Sequence, residues 1–167
     1  LALMPSDGGE SRLLTKLPLG AGAPLWSPDS RHLAFAARTG SPPDPDPKKA
    51  KPYRRITTLK YKLNGEGFVY DRRHHIFVVE IQGGEPRSIT DGDWDDLGPA
   101  WSPDGRSIAF ASARHAERDY DSWSDIWVVS CEGGEPRKLT GTDMTASAPS
   151  WSLDGRTVAF VGRQQYP

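Results

Sequence analysis

The sequence predicts an all-β chain built from a repeated four-stranded antiparallel unit, and three observations carry that prediction. One phrase recurs in register: Trp26-Ser27-Pro28-Asp29-Ser30, Trp101-Ser102-Pro103-Asp104-Gly105 and Trp151-Ser152-Leu153-Asp154-Gly155. A Thr stands eleven residues before each Trp (Thr15, Thr90, Thr140), and an apolar run begins six residues after it (His32-Leu33-Ala34-Phe35, Ser107-Ile108-Ala109-Phe110, Thr157-Val158-Ala159-Phe160). The second and third copies lie 50 residues apart and the first and second 75 apart, and self-similarity at such a period marks a repeat architecture.

Each unit resolves into four short strands separated by turn chemistry. Strand one is Pro-x-Trp, with Pro24, Pro99 and Pro149 two residues before each Trp. The Ser-Pro-Asp-Gly that follows is a turn: Pro presets the backbone, Asp bonds back to it, and Gly accepts positive φ. In the first copy Ser30 stands at the Gly position, where a left-handed residue costs about 1 kcal/mol. Strand two is the Leu/Ile/Val-Ala-Phe run. Strand three is His75 to Ile81, matched 50 residues later by Asp125 to Cys131; it is apolar on both faces, as a strand buried between stacked sheets requires. Strand four is Pro86 to Thr90 and again Pro136 to Thr140.

Four strands and an aromatic anchor per unit are the pattern of β-propeller blades, with Trp26, Trp101 and Trp151 as the anchors. A β-sandwich, the alternative, has no reason to repeat its turns in register. The expected division is a half blade at 1–15, a full blade at 16–90 carrying an insertion at 39–73, a full blade at 91–140 and a half blade at 141–167. The propeller is thus expected to be incomplete, about three blades' worth of strands. Rings close at about four blades or more, so the chain is expected to be a piece of a longer protein and to expose blade edges capable of self-association.

The chain has 21 basic and 22 acidic residues, net charge −1, and no basic stripe, which argues against nucleic acid and anionic membrane as partners. No apolar run approaches the ~20 residues that span a bilayer. Cys131 is the single cysteine, so no internal disulfide forms, and its position on strand three reads as a small core residue. The insertion opens with the Pro-rich, charged tract Ser41 to Lys49, read as an extended or disordered spacer. Two β-prone runs flanking Asn64-Gly65 then predict a hairpin.

The blade phrase Pro-x-Trp-Ser-Pro-Asp-Gly-Arg-x-Ile-Ala-Phe resembles the repeats shared by TolB-type proteins and the prolyl oligopeptidase family of serine peptidases. The inserted Arg55 to Gly67, the run Arg72-Arg73-His74-His75 into strand three, and Ile89-Thr90-Asp91-Gly92-Asp93-Trp94-Asp95-Asp96 are similar to the acylaminoacyl-peptidase and dipeptidyl-peptidase-like branch. The resemblance implies a non-catalytic propeller that screens and positions peptide substrates for an α/β-hydrolase domain bearing a Ser-Asp-His triad. The alternative it leaves open is a TolB-like scaffold that docks proteins. No Gly-x-Ser-x-Gly nucleophile elbow occurs in this chain, and Gly105-Arg106-Ser107-Ile108-Ala109, the nearest string, ends in Ala within a repeat turn and strand. No catalytic residue is therefore expected here, although the parent is expected to be a hydrolase.

Other constellations give way to simpler readings. Asp91 to Asp96 has the alternating acids of a calcium loop but lacks its sixth-position Gly and twelfth-position Glu. His74 and His75 are adjacent on a strand and point to opposite faces, so they do not share a zinc ion. Gly83-Gly84-Glu85-Pro86-Arg87 and Gly133-Gly134-Glu135-Pro136-Arg137 repeat at the blade period with no helix after them, as connecting turns and not phosphate loops. No metal or cofactor is expected. Arg54, Arg55, Tyr61 and Glu66 in the insertion are the residues expected to touch substrate or a neighbouring domain, with a solvated hairpin surface as the plainer reading. A cytoplasmic location is the expectation carried forward.

Overall fold

The computed structural model describes residues 1–40, 46, 53–141 and 144–164. The Pro-rich tract falls almost wholly outside those residues. Among them there are strands and no helix. Two full sheets carry the fold. One runs β3 (Leu25–Trp26), β4 (His32–Arg38), β7 (His74–Glu80), β8 (Arg87–Ser88), in that spatial order. The other runs β9 (Asp96–Trp101), β10 (Ser107–Ser112), β11 (Asp125–Ser130), β12 (Arg137–Lys138). Two strand pairs flank them, β1 (Ala2–Leu3) with β2 (Arg12–Leu13) and β13 (Met144–Trp151) with β14 (Val158–Gln164). The insertion contributes the hairpin β5 (Lys62–Leu63) with β6 (Gly67–Phe68), turning at Asn64-Gly65-Glu66 as Asn-Gly predicts. Each of these strand pairs is antiparallel and joins chain neighbours or spans the insertion, the meander of a propeller blade, and one isolated parallel bridge links Ser124 to Thr145.

The apolar interior is a series of layers between sheets. Side chains alternate across a strand, so β4 and β7 each supply two layers. Leu33, Phe35, Ala37, Phe77 and Val79 face the β1–β2 pair, meeting Leu14, Leu1 and Leu3. Phe35 and Phe77 stack with centroids 5.8 Å apart. The opposite-facing Ala34, Ile76 and Val78 join Ile108, Phe110 and Val129 of the next sheet. Ala109, Ala111, Ile126 and Val128 then pack on Ala146, Trp151 and Val158. Phe35 and Phe110 are fully buried, so the strand-two Phe is the deep anchor of each full blade.

The repeated Trp has a different place from the one expected. Trp101 and Trp151 are half-buried, and Trp26 is 53% exposed. Their work is at the seam between blades: Trp101 Nε1 donates to the Leu25 carbonyl (3.2 Å) and Trp151 Nε1 to the Ala100 carbonyl (3.2 Å), each one strand-one behind. Cys131 packs at the margin of the core beside Trp101 and Trp127 and not within it. It follows β11 and is half-buried, with its thiol against the Glu132 carboxylate; burial and that charge push its pKa up.

The repeated polar residues are explained by hydrogen bonds at equivalent places. Ser27, Ser102 and Ser152 donate to Asp29, Asp104 and Asp154 (2.6 Å each), and each Ser hydroxyl accepts the backbone N–H five residues on. These Ser hydroxyls, with the N–H groups of Arg31, Arg106 and Arg156, hold the three Asp carboxyls below the usual range. The Thr ahead of each Trp ties strand four to strand three: the N–H of Ile76 donates to Thr90 Oγ1 and that of Ile126 to Thr140 Oγ1, both at 3.0 Å, and the Leu1 amino group reaches Thr15 Oγ1 at 2.9 Å.

Ser30 adopts the left-handed backbone that Gly105 and Gly155 adopt, φ 58° against 70° and 69°. Ala148 (φ 49°) likewise takes the position of Gly98 (φ 61°) at the irregularity between β13 and β14.

Replacing Thr90 by Val should strand the buried Ile76 N–H and cost about 1 to 3 kcal/mol, read from urea unfolding. Ser30→Gly and Ala148→Gly should instead raise the unfolding midpoint, each by the equivalent of about 0.5 to 1 kcal/mol, because Gly removes left-handed strain. Loss of stability in both would show that the strain is not felt.

Candidate functional site

Chain reversal at each hairpin places alternate connections at the same end of a blade. The insertion between β4 and β7, the connector from β8 to β9 and the loop from β10 to β11 therefore share one rim. That rim holds most of the charge organised in the fold. Asp93 on the connector accepts from Arg73 Nε (2.8 Å) and from Arg118 Nη2 (2.9 Å), bringing together the insertion and the β10–β11 loop. The Arg118 guanidinium also lies 4.6 Å from the centroid of Trp94. Trp94 packs over Gly92, where a Cβ would come within 2.5 Å of the indole nitrogen, so only Gly fits.

Asp95 is the hub. It accepts from Arg73 Nη1 (3.0 Å), from the His74 backbone N–H (2.9 Å) and lies 3.1 Å from His74 Nδ1, with Arg38 Nη1 at 3.7 Å. Burial works to raise its pKa, but the His74 hydrogen bonds and the Arg73 charge outweigh it and hold the carboxyl at about 2. Asp96, the next residue, points the other way and is fully buried. Both its oxygens lie 2.9 Å from Arg114 Nη2, and His75 Nδ1 is 3.4 Å away. Arg114 is held in turn over Phe110 and Trp127, each ring centroid 5.3 Å from its Cζ. His74 and His75 thus face opposite sides as their adjacency on a strand requires, each with its own aspartate.

The insertion straps across the seam between the two full blades. Thr58 Oγ1 donates to Asp119 (2.6 Å), the Leu59 N–H reaches the other oxygen of Asp119 (3.3 Å), and Lys60 Nζ donates to the carbonyls of Arg118 and Asp121. The Thr58 hydroxyl leads the contacts that depress the Asp119 pKa. Beside the hairpin lies a cavity of about 460 Å³, walled by residues 19–22 of the β2–β3 connection, by Ala36 and Leu97, and by Arg38, Glu66, Arg72 and His74.

The four insertion residues expected to make contacts are all exposed. Arg54 pairs with Asp71 (2.8 Å) and covers the Phe68 ring at 4.6 Å, while Tyr61 meets the same ring at 6.0 Å. Arg55 stands in the open. Only Glu66 reaches the cavity, where its Oε2 lies against Arg38 Nε (2.8 Å) and Nη2 (2.5 Å). Sequence reasoning missed Arg38, Arg73, His74, Asp95 and Arg114. A signal existed: the basic run Arg72 to His75 and the acidic run Asp93 to Asp96 are both rim segments by blade topology, and opposite charges on one rim pair. Among the described residues no three or more His, Cys, Asp or Glu side chains converge as a metal site.

The family model for the TolB β-propeller domain matches residues 67–166. The chain belongs to that family. The uncharacterized peptidase YuxL of Bacillus subtilis is 32% identical over 117 residues, an alignment covering 67% of this chain and 18% of the relative. The solved structure of a TolB protein from Agrobacterium tumefaciens is 26% identical with a TM-score of 0.67, covering 98% of this chain and 45% of that one. A Mycobacterium tuberculosis puromycin-hydrolyzing peptidase shares the fold at 20% identity, TM-score 0.55, over 94% of this chain and 21% of its own. The chain therefore spans less than half the length of each of these proteins.

Two outcomes test the rim. Arg114→Ala removes the guanidinium from the buried Asp96, leaving it only His75 at 3.4 Å, and should destabilise the fold by about 3 to 5 kcal/mol in denaturant unfolding. Asp95, whose folded pKa is depressed from 3.8 to about 2, contributes stability that is complete above the ordinary value and fades as pH falls through that window. Asp95→Asn should therefore lower stability at neutral pH and flatten its decline between about pH 4 and 2, read from melting temperatures across that range.

Proposed function

We propose that this chain is the non-catalytic propeller part of a serine peptidase resembling acylaminoacyl- and dipeptidyl-peptidases, and that it screens and positions peptides for an α/β-hydrolase domain. The observation that carries this reading is the identity with the Bacillus subtilis peptidase over two thirds of the chain. The insertion adds to it. A propeller that only docks partners needs no strap across one rim, whereas a domain that limits access to a neighbouring active site gains from a polar, well-braced collar. The rim offers exposed Tyr53, Leu59 and Tyr61 to whatever covers it, and tyrosines are favoured contact residues because they bury area at low entropic cost. The hydrolase domain is the partner assigned to that face. A cytoplasmic location is part of this reading.

The second reading is a TolB-like scaffold, favoured by the family match and by the Agrobacterium tumefaciens structure. Labelling decides between them. A serine-directed fluorophosphonate probe should mark the parent protein and leave the isolated 167-residue chain unmarked. A parent that resists the probe and contains no Gly-x-Ser-x-Gly would overturn the peptidase reading. In isolation the chain should also self-associate, because among the described residues β14 pairs only with β13 and keeps Phe160 and Val161 exposed. Light scattering that finds a stable monomer at tens of micromolar would refute that.

A further inference from the structure

We propose that the 460 Å³ cavity beside the insertion hairpin is a carboxylate-binding site, that its ligand is the free C-terminus of a short peptide, and that Glu66 occupies the carboxylate position from within the chain. The choice of a peptide rests on the reading above; the choice of a carboxylate does not. A guanidinium takes a carboxylate best along its Nε–Nη2 edge, with two parallel hydrogen bonds to two oxygens. That edge of Arg38 faces Glu66, yet Glu66 presents a single oxygen, Oε2, to both nitrogens. The remaining side of Arg38 is already committed. Nη1 donates to the Arg72 carbonyl (2.7 Å) and lies 3.7 Å from Asp95, whose own charge is met more closely by Arg73.

Arg38 is thus fixed in place by the strand and presents only its fork edge to the cavity. Glu66 is held far less firmly. It sits in the hairpin turn between β5 and β6, flanked by Gly65 and Gly67 in left-handed conformations, and its side chain is half exposed. Swinging it away opens the fork without disturbing a strand. The lining itself carries the guanidiniums of Arg38 and Arg72 against the one carboxylate of Glu66, while Asp95 and Asp71 stand behind them, 3.7 Å from Arg38 Nη1 and from Arg72 Nε. Ala36 and the exposed Leu97 suit a small apolar side chain beside the bound terminus. Glu66 then acts as a built-in competitor: a peptide ending in a free carboxylate displaces it and gains two bonds where it made a bifurcated one, whereas an amidated peptide has no anion to exchange.

Binding of N-acetyl-Ala-Ala and of its C-terminal amide to the whole chain, followed by isothermal titration or amide NMR shifts, tests this directly. The free acid should bind, the amide should not, and inorganic phosphate should not displace the acid. Glu66→Ala should tighten acid binding about fivefold to tenfold, at most the equivalent of 1.4 kcal/mol. Arg38→Gln should weaken it by more than about tenfold, consistent with loss of a charge-assisted pair. Glu66 is exposed, so its variant keeps the test intact should Arg38→Gln fail to fold. Equal binding of acid and amide, no binding even in Glu66→Ala, or binding of phosphate in place of the acid each overturns the proposal. None of these outcomes depends on a hydrolase domain, so they are separable from failure of the peptidase reading.

Discussion

Everything in this fold depends on strands that are apolar on both faces. β4, β7, β10 and β11 put alternate residues into different layers, so each full sheet is glued to its neighbours on both sides. Burial of that apolar area is the main favourable contribution to folding, and here it is spread over three sheet-to-sheet interfaces instead of one central core. A sheet buried on both faces cannot stand alone, which is why the repeat must stack. The stacking sets the position of every rim loop, and the rim loops hold the charged network.

The polar residues of the repeat serve this stacking in a second way. Turn hydroxyls, strand-four threonines and seam tryptophans each answer a backbone group that stacking removes from water. Ser102 is almost fully buried, and the Trp101 and Trp151 indoles reach carbonyls of the blade behind. An unmet buried N–H or C=O costs about as much as a hydrogen bond is worth, so these residues recur wherever the geometry recurs. Arg12 and Arg87 follow the same logic across the seams, donating to the carbonyls of Ile81 and Cys131 in the next blade.

On the opposite rim the repeat is broken, and there charge does the organising. Among its described residues the insertion buries a single large apolar side chain, Val69, and it meets the next blade through Asp119, Lys60 and the Arg73–Asp93–Arg118 bridge. Exposed ion pairs contribute little to stability one at a time, yet Asp95 and Asp96 are buried enough for their partners to be required. The result is a braced collar with one loosely held residue, Glu66, at the mouth of a cavity whose other charged members are fixed.

The sequence by itself determined the blade. The Trp, Thr, Ser and Asp at equal spacings reflect hydrogen bonds that repeat whenever a four-stranded unit repeats, and the continuous apolar runs, whose side chains alternate across the strand, supply two layers at once. It determined the Asn-Gly hairpin too, because two-strand reversal is a local matter of backbone angles. Only the tertiary structure decided that the Trp rings lie at seams while Phe35 and Phe110 take the deep positions, because depth depends on the neighbouring sheet and not on the residue's own strand. The candidate site was beyond the sequence for the same reason. Arg38, Glu66 and Asp95 are separated by 28 residues or more, in three different segments, and nothing local marks them as partners. Blade stacking brings their rim segments together, and electrostatics then selects which of the charges gathered there meet.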